Sequence, residues 1–150
     1  MEIDDLIAHL DEMVASGAEL ERLLETAVLG LSRSDPRFDW TGVYELFSDN
    51  MLRLGPFVGA PTDHVFIGVG NGVCGTAVKE ARTILVENVH EFPGHIACDA
   101  GSESELVVPL FKNGEIIGVL DLDSPRLSRF DAEDQAGMET LAEIFVAASE

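Results

Sequence analysis

The sequence predicts an α+β domain, with a central, mainly antiparallel sheet and the helices of both chain ends packed on one of its faces. Three observations predict it. Apolar residues recur at helical spacing near both ends, and the middle breaks into short runs rich in β-branched and aromatic residues. Turn-forming residues join those runs so that neighbours pair as hairpins. The 150 residues suit one domain, 1–150, with helices in 1–34 and the sheet, loops and last helix in 38–150.

Taken in order, Ile3, Leu6, Ile7, Leu10, Met13 and Val14 form one helical stripe, and Leu20, Leu23, Leu24, Ala27, Val28 and Leu31 a second. Ser16 with Glu19 reads as a capping box opening the second helix, and Asp35-Pro36 closes the pair. Phe38 to Phe47 and Met51 to Val58 read as a hairpin turned by Ser48-Asp49-Asn50, followed by a short strand at Val65 to Ile67. The stretch Gly68-Val69-Gly70-Asn71-Gly72 leads into a short helix, Val73 to Glu80, and Thr83 to Val86 is another short strand. Residues 87–103 hold Pro93, Gly94 and Gly101 without periodicity, an irregular length of the kind that carries function. Glu105 to Phe111 and Glu115 to Leu122 form a second hairpin around Asn113-Gly114. Asp131 caps a final helix facing inward with Met138, Leu141, Ile144 and Phe145.

Charge removes whole classes of function. There are 28 acidic against 9 basic residues, a net −19, and such a surface repels nucleic acid and anionic membranes. No apolar run is long enough to span a bilayer, and the start Met1-Glu2-Ile3-Asp4-Asp5 is the opposite of a basic export signal, so the expected location is the cytoplasm. The two cysteines, Cys74 and Cys98, without a CxxC pair, supply neither a disulfide scaffold nor a zinc ligand set; no metal and no cofactor is expected.

Chemistry can rest on few residues. Cys98 lies in the irregular segment between His95 and Asp99. An imidazolium nearby would raise its thiolate fraction, while the plainer alternative is a small buried side chain. Cys74 sits near the start of a short helix, where backbone N–H groups favour a thiolate, or it is simply packed. Asp121 and Asp123 alternate on one strand and share a face, apolar before them if Ile117 and Val119 lie on that face too. With Glu105 on the adjoining strand they either meet solvent or form a cluster. A cluster would hold one carboxyl protonated near neutrality and attract an ammonium. Trp40 and Tyr44, four apart in the first strand, are core packing or an aromatic wall for a small ligand. The Gly-rich stretch has neither P-loop nor dinucleotide spacing.

Six segments together resemble the free methionine-(R)-sulfoxide reductases, enzymes of the GAF fold. They are Asp39-Trp40-Thr41-Gly42-Val43-Tyr44, Leu54-Gly55-Pro56-Phe57, Gly70-Asn71-Gly72-Val73-Cys74-Gly75-Thr76-Ala77, Pro93-Gly94-His95-Ile96-Ala97-Cys98-Asp99-Ala100, Ser104-Glu105-Leu106-Val107-Val108-Pro109 and Gly118-Val119-Leu120-Asp121-Leu122-Asp123-Ser124. The His-Ile-Ala-Cys-Asp segment is the most specific of them. The resemblance implies Cys98 as nucleophile, Glu105, Asp121 and Asp123 as substrate-binding and proton-handling acids, and Trp40 and Tyr44 as contacts to the sulfoxide methyl group. It also implies free methionine (R)-sulfoxide as substrate and thioredoxin as reductant. The family commonly carries a further cysteine ten residues before the position of Cys74, where this chain has His64. Cys74 is then the thiol left within the chain to resolve a sulfenic acid on Cys98, unless an external thiol does so. The rival reading is a non-catalytic GAF module that binds a small ligand and signals by dimerisation; a homodimer is a candidate assembly under either.

Overall fold

The computed structural model describes residues 3–94 and 101–149. Helices α1 (Ile3–Ala15) and α2 (Leu20–Ser34) open the chain. Strands β1 (Trp40–Leu46), β2 (Met51–Gly59) and β3 (Phe66–Gly68) lead to helix α3 (Gly72–Glu80). Strand β4 (Ile84–Val86) and a 3-10 turn at Val89–Glu91 come next. Strands β5 (Ser104–Lys112) and β6 (Glu115–Ser124) and helix α4 (Ala132–Ala148) complete the order. The six strands form one sheet in the order β3-β2-β1-β6-β5-β4, with every neighbouring pair antiparallel. This is the α+β arrangement the sequence predicts.

Each sheet face buries its own apolar set. On one, Leu6, Leu10, Leu23, Leu31, Leu141 and Phe145 of the three long helices pack on Val43, Leu106, Leu120 and Leu122. On the other, Val73, Cys74 and Ala77 of α3 pack on Trp40, Tyr44, Val107 and Val119. Alternation along β5 and β6 feeds both layers at once, which is why these strands are buried for seven residues in a row. Each fully buried Leu or Phe contributes about 1.5–3 kcal/mol relative to exposure.

Two local expectations are corrected. Ser16 and Glu19 do not cap α2, whose Glu19 N-cap makes no side-chain cap bond. The segment instead ends α1: Gly17 adopts φ +78°, its N–H reaches Val14 O, and the Ala18 N–H reaches Met13 O, both at 3.0 Å. That is a Schellman ending, and glycine takes its left-handed position without a Cβ penalty. Second, Ile117 and Val119 do not share a face. The β5–β6 register slips between Leu110 and Phe111, leaving Ile117 as the extra residue of a bulge. Ile117 therefore packs with the long helices and Val119 with α3.

Elsewhere turn chemistry acts as read. Asn113 and Gly114 both take positive φ, +53° and +82°, as a two-residue hairpin turn requires. Asp131 accepts from the Asp134 N–H at 2.9 Å while Asp134 accepts from the Asp131 N–H at 3.0 Å, a complete capping box for α4.

Candidate active site

The site grows from strand register. Across the α3 face, Trp40 of β1 stands opposite Asp123 of β6, and Asp123 opposite Glu105 of β5. One row on, Gly42 stands opposite Asp121, and Asp121 opposite Val107. Asp121 and Asp123, two apart, must point the same way, and antiparallel pairing puts Glu105 and Trp40 on either flank of Asp123. All three acids are buried, at 0–2% exposure.

Helix α3 closes the row from above. Cys74 lies in its first turn, buried, and its Sγ and one carboxylate oxygen each of Glu105 and Asp121 lie within 4.8 Å of one another. The helix N-terminus favours negative charge on that sulfur.

Burial is the main reason the Glu105 carboxyl is pushed well above the usual carboxylate range, and the negative charge of Asp123 adds to it. A hydrogen bond with Asp121 opposes the rise, one with Asp123 supports it, and Asp39 contributes further repulsion. The arrangement can therefore hold a proton on Glu105 above the usual carboxylate range, beside negative charge able to receive a cation.

The aromatic flank is built from β1. The Trp40 indole stacks on Phe57 with centroids 5.4 Å apart and on Tyr44 at 6.1 Å. Trp40 Nε1 donates to the Ala60 carbonyl at 3.3 Å, and the Tyr44 hydroxyl donates to the His64 carbonyl at 3.0 Å. These bonds hold the loop after β2 against the site. Gly42, between the two aromatics, leaves room for the indole: a Cβ there would lie 2.4 Å from its ring and 2.8 Å from the Phe57 Cβ.

Six of the seven residues singled out from sequence (Trp40, Tyr44, Cys74, Glu105, Asp121 and Asp123) thus converge on one sheet face. Cys98 lies outside the described residues. The segment that carries it is tied where it leaves and rejoins the fold: the Val89 N–H reaches Glu103 O at 2.8 Å, and His90 pairs with Glu103 at 2.9 Å. Asp39 was not singled out, although it precedes Trp40 in the quoted segment. Its bond to Asp123 shows only in space, because the residue before a strand has no face assigned by alternation. A groove of ≈ 680 Å³ between α4 and the β4–β5 edge is lined by Arg82, Phe111 and Glu139, among others, and contains none of the six.

Residues 10–148 match the GAF domain family model. The chain belongs to the GAF domain family. Within the family, its relatives include enzymes. Over 103 residues, 69% of this chain and 61% of the other, it is 52% identical to the free methionine-R-sulfoxide reductase of Escherichia coli, so it spans about three fifths of that protein. The free methionine-R-sulfoxide reductase of Neisseria meningitidis, solved in complex with its substrate, superposes with a TM-score of 0.91. That match is 34% identical and covers 97% of this chain and 87% of that one. Protein YtsP of Bacillus subtilis is 47% identical over 92% of this chain and 85% of its own length. The Neisseria meningitidis reductase thus shares the overall fold of the present chain. Among the described residues, no helix is long and apolar enough to cross a membrane.

Proposed function

We propose that this protein reduces free L-methionine (R)-sulfoxide to L-methionine by thiol chemistry. The observation that carries the reading is the buried row Trp40–Asp123–Glu105 with Asp121 and Cys74 beside it, in a chain 52% identical to a named reductase. A buried acid held protonated, next to acids that accept a cation, suits a substrate offering a sulfoxide oxygen and a free ammonium.

Cys98 attacks the sulfoxide sulfur as a thiolate while Glu105 delivers its proton to the oxygen. The oxygen ends on Cys98 as a sulfenic acid, and the sulfur gains the electron pair and leaves as the thioether of methionine. The Cys74 thiol then attacks the Cys98 sulfur; water departs and a Cys74–Cys98 disulfide forms. An external dithiol, thioredoxin by family resemblance, reduces that disulfide at the cost of its own two thiols. That chemistry suits a reducing, cytoplasmic setting. Asp121 and Asp123 bind the substrate ammonium, which a methionine inside a peptide lacks. Trp40 and Tyr44 receive the sulfoxide methyl group.

Purified protein with dithiothreitol is expected to release methionine from the free (R)-sulfoxide, and to leave the (S) form and peptide-bound sulfoxide unchanged. Release no greater than that of Cys98→Ser removes the catalytic reading. Equal stabilisation of both proteins by the sulfoxide, without turnover, would instead support a ligand-binding GAF module.

A further inference from the structure

The approach to β1 brings a fourth acidic residue, Asp39, to the end of the acid row. The Asp39 N–H donates to the Asp123 carbonyl at 3.0 Å, which fixes the Asp39 backbone at the Trp40–Asp123–Glu105 row. The Ser102 hydroxyl lies 3.4 Å from each Asp39 carboxylate oxygen. Ser102 is buried just where the segment carrying Cys98 returns to β5, and the Glu103 N–H after it bonds Ser124 O at 2.7 Å. Asp39 is only half-buried, so water keeps its charge affordable where Glu105 is sealed.

We propose that Asp39 is a positioning residue of this site, acting through Glu105 and through Ser102 at the base of the Cys98 segment. The inference rests on the reductase reading for its catalytic meaning. Among the described residues, the charged and titratable groups that bear on Glu105 are Asp121 and Asp123 from β6, Asp39 from the approach to β1, and Cys74 from α3. On β4 its register partner is Val86, with Glu87 beyond at the surface, and Glu103 is turned to His90. Asp39 is thus a negative group at the half-exposed rim that disfavours ionisation of Glu105. It adds to the burial and the Asp123 charge that favour the protonated inner acid, and its contact with Ser102 ties the start of β1 to the residues that lead into β5.

The test compares wild type with Asp39→Asn, Asp39→Glu and Ser102→Ala. Reduction of the free (R)-sulfoxide is followed against pH. The Glu105 carboxyl carbon is followed in parallel by 13C NMR of glutamate-labelled protein, assigned by its loss in Glu105→Gln. Removing a like charge lowers the pH at which Glu105 ionises. Asp39→Asn should therefore move both the alkaline limb of activity and the NMR titration down by roughly half a unit or more. Asp39→Glu should restore them, and Ser102→Ala should leave them in place while lowering the rate. Coincident NMR titrations in wild type and Asp39→Asn overturn the inference. A wild type that does not turn over, but whose NMR titration still moves in Asp39→Asn, removes the reductase reading and leaves the Asp39–Glu105 relationship standing.

Discussion

Glu105 and Asp123 are register partners across the β5–β6 ladder, both with 1–2% of their surface exposed. Two acids sealed so close cannot both ionise cheaply, and the strain falls on Glu105, whose carboxyl is held well above its ordinary range. In the proposed reaction this relationship makes Glu105 the proton donor.

Replacing Glu105 separates its chemistry from its stability. An acid whose folded pKa is raised costs stability once the unfolded chain, titrating near about 4.3, has lost its proton and the native state has not. Wild-type stability should therefore fall as pH rises above that point. Glu105→Gln lacks this decline: it should melt higher than wild type at pH 7, with the gap closing toward pH 4 in thermal melts. The same variant should lose about 100-fold or more in kcat, since the proton donor is gone.

Recycling should depend on Cys74. Substrate treatment without reductant should leave a Cys74–Cys98 disulfide, visible by peptide mass spectrometry. Cys74→Ser should complete one turnover, remain active with excess dithiothreitol and stall with thioredoxin. Steady turnover of that variant with thioredoxin at the wild-type rate would assign resolution to an external thiol.

Gly42→Ala tests the packing of the aromatic flank. The new methyl group would meet the rigid Trp40 ring at 2.4 Å, so the indole must shift. Overpacking of this kind costs about 1–3 kcal/mol, measurable by urea unfolding. KM for the sulfoxide should rise with it. A variant of wild-type stability with unchanged KM would show that Trp40 does not bound the substrate.

At the end of α2, Asp35 is held well below the usual carboxylate range. The hydrogen bond from Arg37 is the largest cause, with Arg129 adding to it. Arg129 also pairs with Asp134 in the first turn of α4 and packs over Phe38, so the cluster joins helix ends to the sheet. A depressed folded pKa contributes stability that is present above the unfolded value, about 3.9, and is lost as pH falls below it. Asp35→Asn should cost about 2 kcal/mol at pH 7, as for other charge-assisted bonds, and progressively less below pH 4. An equal cost at both pH values would refute the charge argument.

Elements with a strong local signal were legible in advance. The apolar stripes of α1, α2 and α4, the Asn113-Gly114 turn and the Asp131 cap all act within a few residues of themselves. Side-chain periodicity and turn stereochemistry are therefore enough to place them. Alternation likewise put Asp121 with Asp123, and Trp40 with Tyr44, before any fold was known.

Register and partner choice lay beyond that reach. Ser16 and Glu19 carried the pattern of a helix start, yet Ser16-Gly17-Ala18 finish α1, because Gly17 could take a left-handed turn there. Ile117 left the face of Val119 when one unpaired residue entered the β5–β6 ladder. Asp39 joined the acids through a bond to Asp123, 84 residues further along the chain. Local chemistry named the side chains able to act; which of them stand within reach of one another was decided by strand pairing and by α3 closing over the sheet. Those contacts depend on the whole chain being folded, and no window of sequence contains them.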